Sequence, residues 1–267
     1  MRPSLRGRDG AHRAHGNDRR DGAEGPPGRV QGSTQFHRST DRSRPWTTKL
    51  HRPGTRFVGR PMKLDTPAGV VFDLGNVLID WDPYPAIAAG VGPDEARRFL
   101  AAEDFDFLAW NLVQDAGGRW ADAEDAVRRT HPHWAEHALA YRAHFTESLV
   151  GEVPGTADVV RDLHAAGVPL FGLTNWSDEL YPHAPERFEV LALLDDVVVS
   201  GTEQVAKPDA RVFEIVAERS GIALDRLAFV DDKQANVDAA AALGMDAILF
   251  TDAAALREEL RARGLPV

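Results

Sequence analysis

Asp73-Leu74-Gly75-Asn76-Val77 closes the apolar run Val70-Val71-Phe72 and puts a carboxylate at the mouth of a strand. Solvation is poor there, and a nucleophile can be held in position. One aspartate after a strand says little, because turns favour Asp on their own account. Three further clusters follow in order: Leu173-Thr174-Asn175, Ala206-Lys207-Pro208 and Phe229-Val230-Asp231-Asp232. Each sets a polar group at or just beyond a hydrophobic segment. A carboxylate, a hydroxyl, one cation and an acidic pair, in that order, suggest an aspartate-based hydrolase.

Such groups need elements to carry them. Short runs dense in Val, Ile, Leu and Phe predict strands over 69–74, 168–173, 196–200, 227–231 and 246–251. Near-continuous apolar runs suit strands buried on both faces of a parallel sheet. Helices are predicted between them over 156–166, 209–220, 234–243 and 253–264. In the first, Pro154-Gly155-Thr156 reads as a start, Val159, Val160 and Leu163 as an apolar stripe, and Gly167 as a stop. The alternation predicts a doubly wound, Rossmann-like α/β fold with its crevice beyond the carboxyl ends of the strands. Asp73, Thr174 and Asp231-Asp232 all fall at such ends.

Residues 82–152 differ. They lack a strand signal and carry helical spacing, with helices expected over 94–102, 105–114, 121–130 and 135–149. Inserted after the first strand, they read as a helical cap that excludes water and chooses a substrate, or as decorative helical hairpins. The expected organisation is thus an extension over 1–61, a hydrolase core over 62–81 and 153–267, and a cap over 82–152.

Composition narrows the classes. The chain has 267 residues, 43% of them hydrophobic, enough for a substantial core. Its net charge of −10 conceals two unlike parts. Residues 1–61 hold 13 Arg and 1 Lys against 5 acids, giving +9, and the remainder carries −19. An acidic body argues against nucleic acid and anionic membrane surfaces as partners. An anionic ligand would have to be held locally, by a metal ion, one lysine and backbone amides. With no cysteine there is no disulfide, no thiolate chemistry and no Cys-based zinc site. No run reaches the ~18 apolar residues of a membrane span, and a soluble cytoplasmic enzyme, monomer or homodimer, is expected. Residues 1–61, rich in Arg, Gly, Pro and Ser, cannot bury enough apolar surface to offset their ordering entropy. They read as an over-extended start ahead of Met62, as a disordered tail, or as a basic binding arm, and the strand just after Met62 favours the first.

The four clusters resemble the four motifs of the haloacid dehalogenase superfamily, over roughly residues 69–252. The likeness is greatest to its sugar-phosphate branch, such as glucose-1-phosphate phosphatase, and to the phosphatase domain of soluble epoxide hydrolase. The resemblance implies that Asp73 attacks phosphorus and forms an aspartyl-phosphate that water hydrolyses. It implies Mg²⁺ held by the Asp73 carboxylate, the Gly75 carbonyl and Asp232, with Asp231 either behind them or purely structural. Thr174 corresponds to the hydroxyl that bonds a phosphoryl oxygen, helped by the amide of Asn175, and Lys207 to the cation balancing the nucleophile and the transferred group. The expected substrate is a small phosphate ester, a sugar phosphate in particular.

One departure stands out. Most phosphatases of the superfamily carry a second aspartate two residues after the nucleophile, which protonates the leaving group. Here that residue is Gly75. Either the substrate has a good leaving group, such as an anomeric phosphate, or a nearby acid substitutes. Asp80 and Asp82 are candidates by proximity, though loop solvation explains both equally. Asn236 also stands where relatives often have an aspartate, which weakens any case for a fourth acidic ligand. Trp110, Asn111 and Asp115 fall at spacings that can share a helix face, with Trp110 taken as a substrate contact against a core role. Trp81 and Trp176 flank the motifs and could frame a pocket. His131, His133 and His137 cluster, although His131-Pro132-His133 reads better as a loop entering a helix than as a metal site. Two other activities compete with a phosphatase: a metal-free 2-haloacid dehalogenase, which the acids Asp231 and Asp232 disfavour, and a catalytically silent binding protein, which the retained Lys207 and Asp232 disfavour.

Overall fold

Five short strands whose residues are almost all apolar build the centre of the molecule. The computed structural model describes residues 66–267, and the readings of residues 1–61 lie outside the described residues. The strands are β1 (Gly69–Phe72), β4 (Leu170–Thr174), β5 (Asp196–Val199), β6 (Leu227–Asp231) and β7 (Asp246–Leu249). They form one parallel sheet in the order β5-β4-β1-β6-β7. β1, β4 and β6 are buried along their whole length, as a parallel sheet covered on both faces requires. Strand alternation divides them: Val70 and Phe72 face one hydrophobic cluster, and Val71 faces the other with Phe213 and Phe229.

Helices α6 (Thr156–Ala165), α8 (Ala210–Ser220), α9 (Gln234–Ala242) and α10 (Ala253–Ala262) match the four predicted between strands. In α6 the stripe Val159, Val160 and Leu163 is fully buried. The stop at Gly167 has φ +74, a conformation that glycine adopts without the strain of a Cβ. β4 and β6 pair with β1 on opposite sides, so the chain's direction of travel reverses at β1. That is the switch point at which an open α/β sheet leaves a crevice.

Between β1 and β4 the chain departs from the alternation. Two strands, β2 (Ile79–Trp81) and β3 (Leu149–Glu152), pair antiparallel where it leaves and returns. Between them lie α1 (Pro83–Val91), α2 (Pro93–Leu100), α3 (Phe107–Asp115), α4 (Trp120–Thr130) and α5 (Ala135–Ala143). The helices expected over 94–102, 105–114 and 121–130 correspond to α2, α3 and α4. The one expected over 135–149 stops at Ala143, and a 3-10 turn over Phe145–Ser148 leads into β3. α1, which opens Pro83-Tyr84-Pro85, has no counterpart among the expected helices. Proline at a first helical turn sacrifices no bond, and Asp82 caps the helix by accepting the Tyr84 amide at 2.8 Å. An aromatic core holds the segment together, with ring centroids 5.1 Å apart for Phe99 and Phe105 and 5.0 Å for Phe107 and Tyr141. Among the described residues no helix is long and apolar enough to cross a membrane. One further short helix, α7 (Ser200–Glu203), follows β5.

Candidate active site

Beyond the carboxyl ends of β1 and β4 lies a cavity of about 270 Å³. Its floor includes Asp73, Thr174, Asn175 and Lys207, and a wall from the helical segment faces them. Asp73 extends β1 by one residue, its amide donating to the Val230 carbonyl at 2.8 Å. Its Oδ1 accepts the Leu74 amide at 2.7 Å. Thr174, the last residue of β4, is buried at the same level.

Lys207 reaches this floor from the loop between α7 and α8. Its Nζ lies 2.9 Å from Asp73 Oδ1 and 2.8 Å from Asp231 Oδ2, and donates to the Leu173 carbonyl at 2.8 Å. All three ammonium protons are therefore engaged. Burial works against charge on Lys207, but Asp73 and Asp231 outweigh it and hold the ammonium above the ordinary lysine value. Burial pushes the Asp73 carboxyl up to about 7, against the pull of Lys207 and with the push of Asp231. The loop is fixed by Asn175, whose Nδ2 donates to the Lys207 carbonyl (2.9 Å) and whose Oδ1 accepts the Lys207 amide (2.8 Å). The sequence assigns Asn175 a contribution through its backbone amide. Its side chain has the different task of holding the lysine in place.

Asp231 is fully buried and fully partnered. Besides Lys207 it accepts the Lys233 amide at 2.8 Å and both oxygens accept Asn236 Nδ2, at 2.9 and 3.0 Å. Asn236 is thus a clamp on Asp231. Asp232 is the opposite case: its Oδ1 is buried with no hydrogen-bond partner, and burial, then Asp231, raises its pKa above the usual carboxylate range. Asp73, Asp231 and Asp232 each offer an oxygen within 4.8 Å of the others, the one such group of potential metal ligands among the described residues. Three carboxylates around one lysine leave net negative charge, and hard oxygen donors with one orphaned atom fit a small divalent cation. Gly75 lines the same cavity, and a Cβ there would meet nothing within 4 Å. Packing therefore does not dictate glycine at this position.

The wall corrects one expectation. Trp110 is absent from the cavity lining. It packs against Trp120 (5.3 Å between centroids), Phe105 and Phe107 in the aromatic core of the helical segment. Its neighbours on α3, Asn111 and Asp115, line the cavity instead. One residue along a helix is about 100° of rotation, enough to turn Trp110 inward. Asn111 Nδ2 donates to Asp115 Oδ2 at 2.8 Å, and the Ser177 amide donates to Asp115 Oδ1 at 3.1 Å. The Ser200 hydroxyl bonds the Asp115 main-chain carbonyl. Burial pushes the Asp115 carboxyl up to about 8, against those hydrogen bonds and the attraction of Lys233. Trp81 and Trp176 do frame the cavity. Asp80 and Asp82 do not line it: Asp80 is exposed on β2 and Asp82 is committed to the α1 cap.

Much of the rest of the wall is aliphatic or aromatic: Leu108, Leu112, Tyr141, Phe145 and Leu180. Only the i, i+4 register of Asn111 and Asp115 signals this wall in the sequence, since its aromatics look like ordinary core residues. The three histidines do not converge on a metal. His133 meets Asp104 at 2.8 Å, His137 meets Glu95 at 3.3 Å, and His131 meets the Thr130 hydroxyl.

Residues 67–244 match the family described as haloacid dehalogenase-like hydrolase. A sesquiterpene phosphatase of Aspergillus oryzae, astK, is 33% identical over 192 residues, covering 72% of this chain and 93% of that protein. An (S)-2-haloacid dehalogenase of Pseudomonas putida is 27% identical over 184 residues, covering 66% and 81%. A HAD family enzyme of Bacteroides thetaiotaomicron, solved as a magnesium complex, superposes with a TM-score of 0.56 at 22% identity, covering 70% of this chain and 95% of that one. The last likeness concerns the fold.

Proposed function

This chain belongs to the haloacid dehalogenase-like hydrolase family, and from that premise we propose that it is a Mg²⁺-dependent phosphatase of a small phosphate ester. The observation that carries the reading is the arrangement on the floor. One buried ammonium is shared by Asp73 and Asp231, beside a third carboxylate with an orphaned oxygen.

Asp73 is the nucleophile. Its Oδ atom forms a bond to phosphorus as the ester oxygen leaves, and water then hydrolyses the aspartyl-phosphate. Asp73, the Gly75 carbonyl and Asp232 would hold Mg²⁺, which offsets the repulsion between a carboxylate and a phosphate dianion. Lys207 favours the ionised form of Asp73 against its burial and orients it, and adds positive charge where the transferred group accumulates negative charge. Asp231 and Asn175 position Lys207 from behind and from the side. The Thr174 hydroxyl bonds a phosphoryl oxygen. The helical segment acts as a cap, with its apolar wall against the alcohol part of the ester.

Two substrate classes follow from two kinds of support. The family resemblance favours a sugar phosphate, whose ring faces would stack on Trp81 and Trp176. The aromatic and aliphatic wall favours an alcohol with an apolar body, and the identity to a sesquiterpene phosphatase supports that second reading.

The test is phosphate release by the full-length chain from sugar phosphates, an alkyl phosphate and an aryl phosphate, with Mg²⁺ and with chelator. Turnover that requires metal and is lost in Asp73→Asn is expected, and the ranking of esters decides the substrate class. Halide release from a 2-haloacid, with no phosphate release from any ester, would replace this reading by the dehalogenase.

A further inference from the structure

Gly75 leaves the proposed reaction without a proton donor beside the nucleophile. The titratable side chains facing the cavity are Asp73, Lys207, Asp115, Tyr141 and Lys233. Asp73 and Lys207 are committed to each other. Burial, and then Asp115, drives the Tyr141 hydroxyl well above its ordinary value, so it parts with a proton poorly. Lys233 is exposed at the start of α9.

Asp115 differs from Asp73 and Asp231, the other buried aspartates among the described residues. Asp231 has Lys207 at 2.8 Å. Asp115 is 8% exposed, and its hydrogen-bond partners are neutral, the Ser177 amide and Asn111 Nδ2. No cation forms an ion pair with it among the described residues. An ionised carboxylate buried without a cation costs several kcal/mol, and such a group takes up a proton instead. Beside it, Asn111 Oδ1 is buried without any partner, so the polar pair on α3 has hydrogen-bonding capacity that the protein leaves unused.

We infer that Asp115 is the general acid and base of this site, donating from the α3 wall the proton that no side chain at position 75 can supply. The inference rests on the phosphatase reading above. In the first step an Asp73 oxygen bonds to phosphorus, the bond from phosphorus to the alcohol oxygen breaks, and the Asp115 proton passes to that oxygen. The products are the aspartyl-phosphate, a neutral alcohol and the Asp115 carboxylate. In the second step Asp115 takes a proton from the water that attacks phosphorus. This returns free Asp73, inorganic phosphate and a protonated Asp115. The groups facing Asp115 are Lys233 from α9, which favours its ionised form, and Tyr141 from α5. Burial outweighs Lys233, leaving the acid form present near neutral pH.

The experiment uses the full-length chain with Mg²⁺ and two probes of similar size, benzyl phosphate and 4-nitrophenyl phosphate. Only the first has a leaving group that needs a proton. Asp115→Asn keeps an acceptor for the Ser177 amide and leaves the main-chain bond to Ser200 intact. It is expected to lower kcat for benzyl phosphate by about 10²–10⁴-fold and for 4-nitrophenyl phosphate far less. Asp115→Glu is expected to keep part of the benzyl phosphate activity, and wild-type kcat for that ester is expected to fall as pH rises through about 8. Equal losses on both esters, or no loss on either, would overturn the proposal and leave the phosphatase standing. Failure of the wild type to release phosphate from either ester would sink the phosphatase reading and this inference with it.

Discussion

Asp231 and Asp115 are the same residue type and both buried, one behind the lysine of the cavity floor and one on the cavity wall, and their surroundings differ sharply. Asp231 ends a strand of the sheet and faces a lysine whose three protons are all engaged on the floor. Asp115 ends a helix of the inserted segment and faces amides. The floor gathers three carboxylates around one lysine, whereas the wall's carboxyl has only neutral hydrogen-bond partners and burial pushes it toward its protonated form. The cavity therefore lies between a charged surface and one where charge is unwelcome. A phosphate head and a neutral alcohol tail would sort themselves across it.

Lys207→Met breaks the floor side most severely. It leaves Asp73 and Asp231 buried without their shared cation, a change worth about 3–5 kcal/mol of folding stability. Activity is expected to vanish with it. The sign of the pH dependence follows from the carboxylates. Without Lys207 the folded-state pKa of Asp73 rises further above its unfolded value. That carboxyl then favours the fold at low pH, and the benefit is lost as pH climbs. Denaturant unfolding at pH 5 and pH 8 should show a larger deficit against wild type at pH 8. An equal deficit at both would mean that the lysine stabilises by packing alone.

Asp232→Asn probes the orphaned oxygen. The variant should still fold, since Asp232 Oδ1 has no internal partner to lose, while the Mg²⁺ concentration for half-maximal activity rises about 10–100-fold, the usual scale for weakening a metal site. Titrating activity with Mg²⁺ in both proteins measures this. An unchanged midpoint would remove Asp232 from the ligand set.

Asp115→Asn tests the wall through stability, independently of any substrate. The folded state holds the Asp115 proton up to about pH 8, whereas the unfolded chain releases it near its ordinary value. The carboxyl thus favours folding at low pH, and that advantage drains away as pH rises between those two values. Between pH 6 and pH 7 wild-type stability should fall more steeply than that of Asp115→Asn, by up to about 1.4 kcal/mol per pH unit. Parallel curves would show that Asp115 is ionised in the folded chain and that the wall is not the reverse of the floor.

The two regions were not equally legible in the sequence. All five strands of the parallel sheet and the four helices between them are announced by dense apolar runs and capped stripes, because a strand buried on both faces has no other way to be written. The floor follows directly, since Asp73, Thr174 and Asp231 sit at strand ends that the fold must bring together. The inserted segment carries weaker signals. β2 is only three residues long and of mixed polarity, and α1 opens with two prolines, Pro83 and Pro85. The cause of the Trp110 error is rotational. On α3 most residues are apolar, so periodicity leaves the helix free to turn by one position, and only the packing of Phe105, Phe107 and Trp120 fixes which face meets the cavity.

That rotation sets the smallest expected effect. Trp110→Phe keeps an aromatic ring among Phe105, Phe107 and Trp120, and removes an indole N–H that is buried without a partner. Loss of ring volume opposes the fold, while loss of the unsatisfied donor favours it by roughly 1–3 kcal/mol. The two nearly cancel, so the change in stability should stay within about 1.5 kcal/mol, the range of tolerated apolar exchanges. KM and kcat for any ester the chain hydrolyses should not move, because Trp110 does not face the cavity. Asn111→Leu, one position along, should raise KM for the same ester, since it replaces a polar group on the wall next to Asp115. Measuring both variants side by side fixes the register of α3. A KM effect from Trp110→Phe equal to that of Asn111→Leu would show that the helix presents its tryptophan to the substrate after all.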